Sequence, residues 1–124
     1  MASRLDITES RVGDVAVISL TGRLVPDEED ILLSERIDSL AGQGFTKVVV
    51  DLHDVTLVDS GGIGVLAAKF LSLRRRGGDL RLARLTERTE RVLSVTHLLT
   101  VFEIFESVEQ AVRSFGSVPS GVRA

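Results

Sequence analysis

Two spacings of apolar residues alternate along this chain. "VAVISL" (Val15–Leu20) and "KVVVDL" (Lys47–Leu52) are β-branched runs bounded by glycine and polar residues. Both predict strands, and the second is apolar enough to be buried on both faces. "DLRLARL" (Asp79–Leu85), "VFEIFE" (Val101–Glu106) and the stretch Leu5–Thr8 are more mixed in polarity, and they also predict strands. Between these runs the spacing becomes helical. Leu33, Ile37, Leu40 and Ala41 share one helix face, after an acidic opening at Asp27–Asp30 and before Gly42. Ile63, Leu66, Ala67 and Phe70 form a second such row, which runs into Arg74, Arg75 and Arg76 and then Gly77-Gly78, as a helix C-terminus prefers. Thr86–Leu99 predicts a third helix. Ser107–Phe115 predicts a fourth, with Ser107 and Gln110 as a capping box and an apolar row of Val108, Ala111, Val112 and Phe115.

The predicted order is β, β, α, β, α, β, α, β, α. Strands separated by helices need crossovers, so the expected fold is α/β: a mixed, mainly parallel β-sheet of about five strands packed with about four α-helices. No internal repeat or long linker divides the chain. A single domain is expected over residues 1–115, with "GSVPSGVRA" (116–124) as a flexible C-terminal tail.

Composition narrows the function. A chain of 124 residues, 44% hydrophobic and 27% charged, can build one real core. A net charge of −3, with five Phe and no Trp or Tyr, argues against a nucleic-acid partner. The absence of cysteine excludes disulfides, thiolate metal sites and thiol nucleophiles. The N-terminus has no apolar leader, and no run approaches the ~18 apolar residues of a membrane span, so a cytoplasmic protein without direct membrane insertion is expected.

Catalytic machinery is not visible either. His53 and His97 stand alone, there is no G-x-S-x-G elbow, and "SGGIG" lacks the lysine of a phosphate-binding loop. No enzyme, cofactor or metal is expected. Asp51, Asp54 and Asp59 crowd one region and could serve a cation or acid–base chemistry. They are equally ordinary strand-end and cap residues, and no oxygen-ligand loop accompanies them.

The unusual stretch is "VTLVDSGGIGVL" (Val55–Leu66), which sets Asp59, Ser60, Gly61, Gly62, Ile63 and Gly64 where a strand gives way to a helix. Glycines permit a sharp turn and close packing. A hydroxyl at a helix start is well sited to cap it or to carry a phosphate. Ser60 and the Gly61-Gly62 backbone are expected to face solvent, while Ile63, Leu66, Ala67 and Phe70 face the sheet.

With "VVVDLHDVTLVDSGGIGVLAAKFLSLRRRGGDLRLA" and "VLSVTHLLTVFEIFESVEQAV", the chain resembles the STAS domain, a module shared by anti-sigma factor antagonists and the cytoplasmic ends of sulfate transporters. The resemblance spans roughly Leu5 to Phe115. In antagonists of this family the pattern D-S-[ST]-G-[IL]-G carries a phosphoacceptor at its second hydroxyl residue. A serine-kinase anti-sigma factor modifies it, and the unphosphorylated antagonist binds that kinase and frees the sigma factor. The resemblance therefore implies a non-catalytic regulator of transcription whose partner is an anti-sigma factor of the serine kinase type.

Asp59, Ser60, Gly62, Ile63 and Gly64 match that pattern, but the acceptor position is Gly61, which cannot carry phosphate. Ser60 keeps a hydroxyl one residue early, and three roles are open to it: helix cap, contact to a partner's nucleotide site, or displaced phosphoacceptor. "TGRLVPDEED" departs too, with Val25 after Leu24 where similar proteins often have aspartate. A second class implied by the resemblance is a STAS subunit of a larger assembly, such as a lipid-transport ABC complex or a stress-signalling scaffold. A monomer or weak dimer suits either class.

Overall fold

The computed structural model describes residues 5–25 and 28–116, with side chains described for all of these except residues 28–30. The acidic opening at Asp27 and the stretch Ser117–Ala124 of the expected tail lie outside the described residues. The elements follow the expected order: β1 (Leu5–Val12), β2 (Val15–Leu24), α1 (Glu28–Gly42), β3 (Lys47–Val58), α2 (Ser60–Arg75), β4 (Asp79–Ala83), α3 (Glu87–Val95), β5 (Ile104–Phe105) and α4 (Val108–Arg113). The sheet order is β1-β2-β3-β4-β5. β1 pairs antiparallel to β2, and every later pairing is parallel.

Two cores flank this sheet. Ala16, Ile18, Leu20, Val48, Val50, Leu80 and Leu82 pack with Leu33, Ile37 and Leu40 of α1, Ile63, Leu66 and Leu73 of α2, and Leu93 of α3. The alternate residues Val15, Val17, Val49 and Ala83 form a smaller core with Ala111 of α4. Strand side chains alternate faces, so α1, α2 and α3 share one side and α4 covers the other. The Val48-Val49-Val50 run is therefore buried on both faces, as its composition predicts.

The ends of several elements differ from expectation for physical reasons. β2 runs on to Leu24 and β3 to Val58, because two register shifts let β3 carry extra residues opposite β2: Ser19 pairs Asp51 but Thr21 pairs Asp54, and Gly22 pairs Val55 but Arg23 pairs Leu57. Such bulges disguise the alternation that marks a strand. β1 runs on to Val12, its polar residues being those of a sheet edge.

α3 stops at Val95 rather than Leu99. His97 adopts φ +64, its N–H donates to the Ser94 carbonyl at 3.1 Å, and the Leu98 N–H donates to the Leu93 carbonyl at 2.8 Å. This left-handed cap usually takes glycine, so a histidine gave no stop signal. α2 ends in the same pattern at Gly77, φ +86, where the glycine did give one. The strand expected over Val101–Glu106 shrinks to Ile104–Phe105, because Phe102 turns into the core against Phe70, ring centroids 5.2 Å apart.

Candidate functional site

β3 delivers the chain to the Asp59–Gly64 turn, and the turn is built from backbone inward. Asp59 is the N-cap of α2: its backbone is extended and its carboxylate accepts the Gly62 N–H at 3.0 Å. The Asp59 N–H donates to the Leu24 carbonyl at 3.3 Å, tying the turn to the end of β2. The cap is thus Asp59, and Ser60 is the first helical residue. That removes the capping role left open for Ser60, because the helix's orphan N–H at Gly62 already has an acceptor.

Gly62 corrects a second expectation. Ser60, Gly61 and Gly64 are exposed, but Gly62 is buried, and a Cβ built there would lie 2.2 Å from the Leu24 carbonyl oxygen. Its backbone faces β2 rather than solvent. Glycine is required at 62 by close approach of two main chains, whereas a Cβ at Gly64 meets nothing within 4 Å. Ile63 and Leu66 are fully buried, with Ala67 and Phe70 partly so, and these anchor the helix to the sheet.

Two grooves border α2, one of them at the exposed Ser60-Gly61 step. An open groove of about 380 Å³, lined by Val58, Asp59, Ser60, Arg91, Val92 and Val95, runs between the start of α2 and α3. Val95 is 71% exposed in it, a large apolar surface for an unpartnered residue. A shallower groove between α1 and α2 is lined by Ile31, Val65, Ala68 and Lys69, and Ile31 is also highly exposed. None of these α1 and α3 residues stood out in the sequence, because an apolar residue at helical spacing predicts burial.

The three aspartates do not form a site together. Asp51 is buried and receives a two-pronged hydrogen bond from Arg84, Nε to Oδ1 at 3.0 Å and Nη2 to Oδ2 at 2.9 Å. This carboxylate raises the Arg84 guanidinium above its ordinary pKa. Asp54 is exposed beside His53, 3.1 Å from Nδ1, and Asp59 is the cap. Among the described residues no three His, Asp or Glu side chains are placed to hold a metal ion. Nor is any described helix long and apolar enough to cross a membrane.

What the site supplies is an exposed, capped turn with a hydroxyl and a bare glycine, bordered by an apolar groove. Such a surface suits contact with another protein. The STAS domain model matches residues 7–111. The anti-sigma-B factor antagonist of Bacillus subtilis is 34% identical over 82 residues, 66% of this chain and 74% of that one. A Thermotoga neapolitana protein described as an anti-sigma factor antagonist homologue is 29% identical over 100 residues, 81% of this chain and 88% of that one. Among solved structures, the unphosphorylated anti-sigma factor antagonist SpoIIAA, at 18% identity, superposes with a TM-score of 0.78 over 93% of this chain and 100% of that one. That last likeness concerns the fold alone. On the family model and the Bacillus relative, the chain belongs to the STAS domain family.

Proposed function

We propose that this protein is a regulatory binding module of the anti-sigma factor antagonist type, which binds an anti-sigma factor of the serine kinase type and thereby releases its sigma factor. The observation that carries the reading is the exposed Ser60-Gly61 step, held out from the sheet by the Asp59 cap and by Gly62 against Leu24. The named relatives support it at the level of family and general role. In this reading the turn docks on the partner near its nucleotide site, and the Val58, Val92 and Val95 groove receives apolar side chains beside it. Binding is constitutive, because the acceptor position is Gly61.

Phosphorylation tests the second half of this reading. Incubated with the serine-kinase anti-sigma factor of its own genome and ATP, the protein is expected to gain no phosphate at Ser60. A rigid helix start displaces that hydroxyl by one residue from the position the kinase addresses. Gly61→Ser is expected to gain stoichiometric phosphate. Stoichiometric phosphoserine at Ser60 in the unmodified chain, read by mass spectrometry, would show a displaced acceptor and return the protein to the phosphoswitching class.

The binding surface has its own test. Ser60→Glu is expected to weaken affinity for the anti-sigma factor by about 1 to 3 kcal/mol, the usual range for a disrupted interface centre. The melting temperature should stay level or rise slightly, since an acid in the first turn complements the helix dipole. Calorimetric titration paired with thermal melting separates the two effects. Unchanged affinity would remove Ser60 from the interface.

A further inference from the structure

A cavity lies away from α2, at the carboxyl ends of β4 and β5 and beside His53 in the middle of β3. It measures about 460 Å³ and is lined by His53, Arg84, Leu85, Glu90, Leu99, Ile104, Phe105 and Glu106. Pockets of this size accept small organic ligands, and strand carboxyl ends of parallel sheets gather such sites because side chains and loop ends converge there.

Its charges are ordered. In the sheet order β4-β5, Arg84 directly follows β4 and Glu106 directly follows β5, so a fixed cation and a carboxylate stand on neighbouring strand ends. Glu90 adds a second carboxylate from α3. Among the described residues neither Glu90 nor Glu106 is in an ion pair. Arg84 is held with unusual firmness: its backbone sits at φ +59, its N–H donates to the Phe105 carbonyl at 2.9 Å, and buried Asp51 grips Nε and Nη2. A non-glycine residue in the left-handed region persists only where its surroundings hold it. Among the described residues no acceptor engages Nη1, and the side chain remains 39% exposed. A guanidinium with one edge fixed and the other open is arranged to receive a second carboxylate. The remaining lining, Leu85, Leu99, Ile104 and Phe105, is apolar.

We propose that this cavity binds a zwitterionic α-amino acid with an apolar side chain. The ligand's carboxylate meets the open edge of Arg84, its ammonium lies between Glu90 and Glu106, and its side chain covers Leu99, Ile104 and Phe105. A simple anion would meet the two glutamates, and a simple cation would meet Arg84. Only a ligand carrying both charges satisfies both ends. The site is separate from the α2 turn and stands whether or not that turn binds an anti-sigma factor.

Amide chemical shifts of the full chain, titrated with L-phenylalanine, L-leucine, phenethylamine and 3-phenylpropionate, test this. L-phenylalanine or L-leucine is expected to give saturable shifts at Leu85, Ile104 and Phe105, with a Kd of about 1 mM, as suits so small a ligand. Each one-ended analogue is expected to bind at least about fivefold more weakly, having lost one charge-assisted contact. The Glu90→Gln/Glu106→Gln variant replaces exposed side chains and should keep its melting temperature while binding L-phenylalanine about fivefold more weakly. Arg84→Lys should weaken L-phenylalanine and leave phenethylamine unchanged. If that variant does not fold, the analogue series and the glutamate variant decide alone. Absence of saturable shifts up to about 20 mM, which is well beyond the expected Kd, would overturn the proposal. So would phenethylamine binding as tightly as L-phenylalanine, or full binding by the glutamate variant.

Discussion

Gly62→Ala is expected to lower stability by about 3 kcal/mol, the upper part of the range for forcing atoms into a packed site. The added Cβ would fall 2.2 Å from the Leu24 carbonyl oxygen and 2.7 Å from its carbonyl carbon, so backbone, not a flexible side-chain tip, must move. β2 and α2 would have to part, taking with them the Asp59 N–H bond to the Leu24 carbonyl. For a domain of this size the melting temperature should fall by roughly 10 °C. Gly64→Ala, two residues on and with open space at its Cβ, is the control. It should be neutral or stabilising by up to about 1 kcal/mol, since alanine favours the helix over glycine. Equal melting temperatures for the two variants would show that Gly62 is not a contact point between main chains. Partner affinity of Gly62→Ala, measured below its melting point, should fall as well, because the exposed Ser60-Gly61 step is held by that contact.

Arg84→Met should cost about 2 to 4 kcal/mol. It leaves the Asp51 carboxylate buried with the His53 N–H at 3.2 Å as its remaining donor here, and an uncompensated buried charge is expensive. The partial exposure of Arg84 keeps the figure below that of a fully enclosed pair. The Asp51→Asn/Arg84→Met double variant removes the charge while keeping an oxygen for His53, so much of the loss should return. A double-mutant cycle by urea denaturation should give a coupling of about 2 kcal/mol between the two positions. A coupling near zero would mean that the pair is solvated and structurally idle.

These two predictions draw on different kinds of legibility. Gly62 belongs to a motif visible in the sequence, yet it faces Leu24 rather than solvent. Glycine's lack of a side chain suits exposure and close packing equally, and only the position of the Leu24 carbonyl distinguishes them. The Asp51–Arg84 pair was not legible at all. The residues are 33 apart, and what joins them is the parallel alignment of β3 and β4, in which Asp51 pairs with Ala83. Asp59 and Ser60 illustrate a finer limit. Both can cap a helix, and the choice rests on which residue has extended backbone and which N–H comes within reach of its oxygen.

By itself the sequence determined the element order, the helix faces and the both-sided burial of Val48–Val50 in β3, because these follow from local periodicity and from the water-avoidance of apolar side chains. It also determined the place of the Ser60-Gly61 turn and the lack of a hydroxyl at position 61, since both are matters of residue identity. Tertiary structure decided the rest: the true ends of β3 and α3, the inward turn of Phe102, the burial of Gly62, and the cavity that brings Arg84 beside Glu90 and Glu106. Each of these depends on atoms distant in the chain competing for one space or one hydrogen-bond partner, and that competition leaves no local period to read.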